Sequence, residues 1–320
     1  MILLTRRHIL GSIAALAGTV ALPGSGRSAE FINIATGGTS GVYYPLGVAL
    51  SKVYGSVLPG AKISVQATKA SVENLNLVQA GRAEVAFSLA DAVADAWNGE
   101  KEAGFNTKLT KLRAIGGLYN NYVQIVASEA SGIKTLADLK GKRISVGAPR
   151  SGTELNARAV LGAAGITYKD FSKVEYLPFG ESVDLMKNRQ LDVTLQSAGL
   201  GVSSIKDLAT SLPIVVVPVP EDIVRKIGNP AYQASVIPAG TYEGQKADAP
   251  AVAITNILVT REDLPDETAY QLTKSMFEHL SDLAAAHSAA KAIDVKKAAQ
   301  SLPIPLHPGA ERYYKEVGAL

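Results

Sequence analysis

Two short stretches hold side chains able to grip a small polar molecule. Gly37-Gly38-Thr39-Ser40-Gly41 follows a β-like run, Phe31 to Thr36, and precedes helical spacing. Ala148-Pro149-Arg150-Ser151-Gly152-Thr153 follows a second β-like run, 143–147, and precedes another helical stretch, 154–162. A helix start carries unsatisfied backbone N–H groups and the positive end of the helix dipole. Glycine lets a ligand approach the backbone closely, and hydroxyls add donors. The chemistry these residues suit is capture of a carboxylate or phosphate. Their other use is capping of the two helices alone. Tyr43, directly after the first loop, can wall a pocket or simply pack, as can Tyr44 beside it. Arg150 can clamp a carboxylate with two parallel hydrogen bonds or stand in solvent at the rim.

Catalytic signatures are sparse. There is no P-loop, no G-x-S-x-G elbow, and no GxGxxG after the first strand. The chain has no cysteine and four histidines. His279, His287 and His307, the three beyond the first 29 residues, lack metal-ligand spacing. No metal and no cofactor is expected. Glu73 and Glu154 sit just inside helix starts, where a carboxylate favours the dipole, and make a weak acid–base pair. An exported hydrolase using Ser40 or Ser151 remains the enzymatic alternative, with no histidine near either serine in sequence.

These residues need a scaffold, and the body of the chain supplies an alternation of strand and helix patterns. Val42 to Val57 places Leu46, Ala49, Leu50, Val53 and Val57 on one helical face. Residues 63–67 and 84–87 read as strands, 71–80 as a helix capped by Ser71 and stopped at Gly81, and 91–97 as a further helix. Later come a short helix at 134–141, a helix at 182–188, strands at 191–195 and 214–217, and helices at 266–289 and 294–300. Two β-like runs, Leu112 to Ser128 and Val252 to Thr260, are long enough to cross between lobes. The expected fold is α/β and two-lobed, each lobe a mainly parallel sheet flanked by helices, joined by two crossing strands. The lobes are placed at 30–122 plus 252–320 and at 123–251, with hinges near 121–126 and 252–256. Ligands bind beyond the carboxyl ends of strands in such sheets, so the two Ser-Gly loops would face each other across a cleft.

Composition is that of a globular chain, with 47% hydrophobic and 19% charged residues among 320. Residues 1–29 read as an export signal. Arg6-Arg7 precede an apolar stretch, Ile9 to Leu22, and Ser28-Ala29 offer a cleavage site. The apolar stretch is shorter than the roughly 20 residues a membrane span needs, and the paired arginines resemble a twin-arginine signal. Removing this segment takes three of the 32 basic residues and leaves 29 to set against 29 acids. A near-neutral mature protein has no electrostatic footprint for nucleic acid.

From Ile34 onward the chain resembles a known family. Ala-Thr-Gly-Gly-Thr-Ser-Gly-Val-Tyr-Tyr-Pro, residues 35–45, is similar to the opening of TAXI-type receptors of tripartite ATP-independent periplasmic (TRAP) transporters. Agreement continues at Ser71-Val72-Glu73-Asn74-Leu75, SGIKTLADLKGKRISV (131–146), Gly152 to Arg158, Val236 to Tyr242 and Leu306 to Ala310. The resemblance implies a hinged type II binding-protein fold in the periplasm, closure around glutamate, glutamine, 2-oxoglutarate or a similar acid, and delivery to TRAP permease subunits. A monomer without enzymatic activity is expected. A periplasmic sensor of the same fold is the alternative. The implied ligand-binding residues are Thr39, Ser40, Gly41, Tyr43, Ser71, Asn74, Ser151, Gly152 and Thr153, with Ala198 and Gly199 closing the far side. Ser88, Asp91 and Arg150 join them, although many relatives carry glutamine in place of Ser88 and glycine in place of Arg150. Ala70 stands where the family has glycine. An added arginine would favour a second carboxylate on the guest.

Overall fold

The computed structural model describes residues 31–320, so the expected export signal lies outside the described residues. The first half-sheet comes from β1 (Phe31–Ala35), β2 (Lys62–Gln66) and β3 (Val85–Leu89). It carries α1 (Tyr43–Val57), α2 (Ser71–Gln79) and α3 (Ala90–Asn98). β1 pairs in parallel with both β2 and β3. α1 buries Leu46, Leu50, Val53 and Tyr54, the stripe that its 3.6-residue period sets. It lies so close to the sheet that a Cβ on Gly47 would stand 2.5 Å from Thr36 Cγ2.

The chain then enters β4 (Leu112–Ser128), a strand of 17 residues. Beyond it come β5 (Arg143–Ser145), α4 (Gly152–Ala163), β6 (Lys173–Glu175), α5 (Phe179–Lys187), β7 (Val193–Ala198) and α6 (Ser203–Ser211). β5 pairs in parallel with β6 and β7. After β8 (Ile214–Val217), α7 (Glu221–Ile227) and β9 (Gln233–Ile237), the chain returns through β10 (Ala249–Arg261). α8 (Asp266–Glu278), α9 (Leu280–Ala286), α10 (Val295–Ala298) and α11 (Pro308–Glu316) complete it.

β4 and β10 are the two crossing strands. They pair antiparallel with each other along most of their length, with register shifts between Thr255 and Ile257 and between Leu258 and Val259. β10 then pairs with β3 on the first side. On the second, β4 pairs with β7 and β8, and β10 with β9. The strand order β2-β1-β3-β10-β4-β7-β5-β6 is therefore one sheet passing through two lobes. β3 and β7 are buried at every residue, as strands covered on both faces must be.

Several local expectations change. The helix expected over 266–289 breaks at His279, whose backbone leaves helical angles (φ −118°, ψ 31°) and whose ring nitrogen lies 2.9 Å from the Ser275 carbonyl. Ser71 does not cap α2 by its side chain: Ala70 occupies the cap at φ 70°, and Ser71 Oγ accepts instead from Leu89 N at 3.2 Å. Ala70 thus holds a positive-φ position that costs a Cβ-bearing residue energy. The segment 134–141 is a single turn, Leu136–Leu139, closed by a Thr135–Asp138 capping box.

Candidate functional site

Four helix starts converge where the lobes meet. α1 and α2 come from the first lobe, α4 and α5 from the second. Between them lies a cavity of about 80 Å³, lined by Gly37, Gly38 and Gly41 from the first loop and Ala148, Ser151 and Gly152 from the second. Both Ser-Gly loops therefore reach one space, each at the carboxyl end of a parallel strand. A wider groove of about 1240 Å³ runs along the crossing strands and the 288–303 segment, but neither loop enters it.

Ser151 caps α4, its Oγ accepting from Glu154 N at 3.2 Å. Thr153 Oγ1 accepts from Ser197 N at 3.3 Å, which ties the helix start to the end of β7. Gly152 is required here: a Cβ would stand 2.6 Å from Ser71 Oγ and 2.7 Å from Leu89 Cδ1, across the lobe boundary. A Cβ on Gly41 would be tight but less severe, 3.2 Å from the Gly38 carbonyl. Tyr43 stacks on Phe87 with ring centroids 5.0 Å apart and donates to Asn256 Oδ1. Burial holds its hydroxyl protonated far above the ordinary tyrosine range, so it serves as a neutral donor.

The crossing strands carry a polar chain behind this wall. Asn256 Nδ2 donates to the Tyr119 carbonyl (2.7 Å) and to Asn121 Oδ1 (2.9 Å), and Asn121 Nδ2 donates to the Ser197 carbonyl (3.0 Å). Ser197 Oγ donates to Asn156 Oδ1 at 2.6 Å. Asn156 Nδ2 and Tyr232 Oη both donate to Asp91 Oδ2 at 2.6 Å, and Asp91 comes from the opposite lobe. Asp91 is buried with its Oδ1 unpartnered, and desolvation raises its carboxyl above the ordinary aspartate range. Three more bonds cross the boundary: Glu73 N to the Arg150 carbonyl (3.3 Å), Ser203 Oγ to the Ser40 carbonyl (2.9 Å) and Arg158 Nη1 to the Glu102 carbonyl (2.7 Å).

Of the residues expected at the site, Gly41, Tyr43, Ser71, Ser151, Gly152, Thr153 and Ala198 line the cavity. The other seven do not. Thr39 is exposed, and Ser40 lies against Gly180 at the rim. Asn74 is a strut, with Nδ2 donating to the Thr36 and Phe87 carbonyls. Ser88 is buried in β3, and Asp91 joins the lobes. Gly199 is packed between Ala289 and Tyr119. Arg150 points its side chain to solvent and takes φ 64°, so its backbone rather than its guanidinium meets the other lobe.

Residues missed from sequence include Thr68, Asn121, Phe179 and Ser197. Phe179 opens α5 three residues earlier than the expected helix. Pro178 at its cap was the available signal. The three histidines among the described residues are engaged elsewhere, and none lines the cavity: His279 against Ser275, His287 and His307 as helix caps. Among the described residues, no histidine is hydrogen-bonded to Ser40 or Ser151.

The fold recurs among solved structures. A periplasmic transporter aligns with TM-score 0.57 and 12% identity over 90% of this chain and 93% of that one. A protein from Bordetella bronchiseptica RB50 aligns with TM-score 0.52 and 21% identity over 90% and 81%. These likenesses show a shared two-lobed, type II periplasmic-binding-protein architecture. The family profile matches residues 34–318, nearly every residue of the described fold, and the chain belongs to the NMT1-like family.

Proposed function

We propose that this chain is the periplasmic substrate receptor of a TRAP-type secondary transporter, binding a small carboxylate in the interlobe cavity and presenting the closed form to a membrane permease. The observation that carries the reading is the convergence of four helix starts, two from each lobe, on one small cavity. Although Glu73 N and Glu154 N are already bonded to the Arg150 carbonyl and Ser151 Oγ, the converging helix dipoles favour an anion, and a guest touching both lobes stabilises their closure. Hinge residues at 121–126 and 252–256 suit this mechanism, because β4 and β10 change partners there. Export follows from the arginine-led apolar segment before residue 30, and the permease type from the resemblance of residues 35–45 to TAXI receptors.

A thermal-shift screen of residues 30–320 against small carboxylates tests the reading. A guest at a hundredfold excess over its dissociation constant adds about 2.7 kcal/mol of stability. A clear rise in Tm with one acid class supports it. No rise with any acid, or turnover of the acid by the purified protein, refutes it. Acid uptake by vesicles holding a TRAP permease, only when the receptor is added, is the companion measurement.

A further inference from the structure

We infer that the guest is a short monocarboxylate carrying no amino group, an inference that rests on the carboxylate reading above. No aspartate or glutamate lines the cavity, and its one charged lining residue, Lys69, is exposed at the mouth. The acids nearest in the fold are committed elsewhere. Glu73 Oε2 accepts from Lys69 N (2.7 Å), Glu154 pairs with Arg158 (2.7 Å) and accepts from Tyr168, and Asp91 is held by Asn156 and Tyr232. An α-ammonium group brought inside would meet four positive helix ends and no countercharge, an arrangement that burial penalises heavily. A second carboxylate would find no buried cation.

Beside the polar side chains of Tyr43, Thr68, Asn121 and Ser197, the wall presents an apolar surface from Val42, Leu89, Phe179, Ala70 and Ala198. Hydroxyls and helix starts meet the head of the guest, and this surface meets its tail. The volume sets the length. About 80 Å³ is roughly half of the ~150 Å³ that accommodates benzene in an engineered protein cavity, which restricts the guest to a short acid. Phe179, opening α5 from the second lobe, closes the apolar end.

Calorimetric titration of dialysed residues 30–320 with matched acids decides the matter. 2-Oxobutyrate and 2-aminobutyrate share a skeleton and differ only at C2. The oxo acid, with butyrate and propionate, is expected to bind at least tenfold more tightly than the amino acid, glutamate or 2-oxoglutarate. Equal or tighter binding of 2-aminobutyrate or glutamate overturns this inference while leaving the carboxylate reading intact. Failure of every acid overturns both. Phe179→Ala provides a second readout: the affinity ratio of hexanoate to butyrate should rise severalfold, and an unchanged ratio refutes the assignment of the tail end.

Discussion

Asp91 turns the lobe boundary into a titratable joint. Its raised carboxyl belongs to the closed arrangement, where desolvation outweighs the donors Tyr232 and Asn156. Once the lobes part and water returns, it relaxes toward the ordinary aspartate value near 4. Closure therefore gains most when Asp91 is protonated, and this contribution is lost as pH rises through the elevated value. Asp95, on the same helix, is held up at about 6 by burial first and then by Asp91 and Glu100, with Arg158 of the other lobe opposing. Small-angle scattering of the guest-free protein should show a larger closed fraction near pH 4 than near pH 8. Asp91→Asn should flatten most of that dependence, and an unaltered profile would reject the joint. At this scale the sequence spoke unevenly. Ser151 and Thr153 were readable because a Ser-Gly step before a helix has few uses. Asp91 was legible as a polar candidate but its partners were not, since only the fold brings Asn156 and Tyr232 to it across 65 and 141 residues.

The elements were more readable than the contacts between them. Long apolar runs marked β4 and β10 as crossing strands, and periodicity marked α1, because both signals depend on neighbours in sequence. β6, β9 and α6 escaped notice because they are short and their pairing is settled by distant strands. The close approach of α4 to α2 likewise has no sequence signal beyond Gly152 itself. Its consequence is testable. Gly152→Val puts branched carbons where Ser71 and Leu89 already stand, so the helix starts cannot meet. A guest that stabilises the parent protein should then give no rise in Tm. The variant's own melting temperature should fall by only a few degrees, since the clash is relieved by opening rather than by unfolding each core. Retained binding would show that α4 and α2 need not touch.

Across the whole molecule, the two lobes share one sheet rather than a flexible linker, so domain motion must be a bending of β4 and β10. A guest bridging both lobes should lower the radius of gyration seen by scattering, and by less in Gly152→Val. The register shifts determine where that bending is easiest. Each sets one extra β4 residue against β10, within 117–120 and within 114–116, and a bulged strand bends and twists more than a regular one. This gives the crossing an unusual tolerance in terms of chain length. The shift within 114–116 lies inside the first lobe, where β10 also pairs with β3, whereas the one within 117–120 adjoins the hinge, and deleting one residue there would close a bulge and rotate one lobe against the other. A deletion between residues 117 and 120 can therefore retune how the cleft faces meet without altering a single residue that lines it.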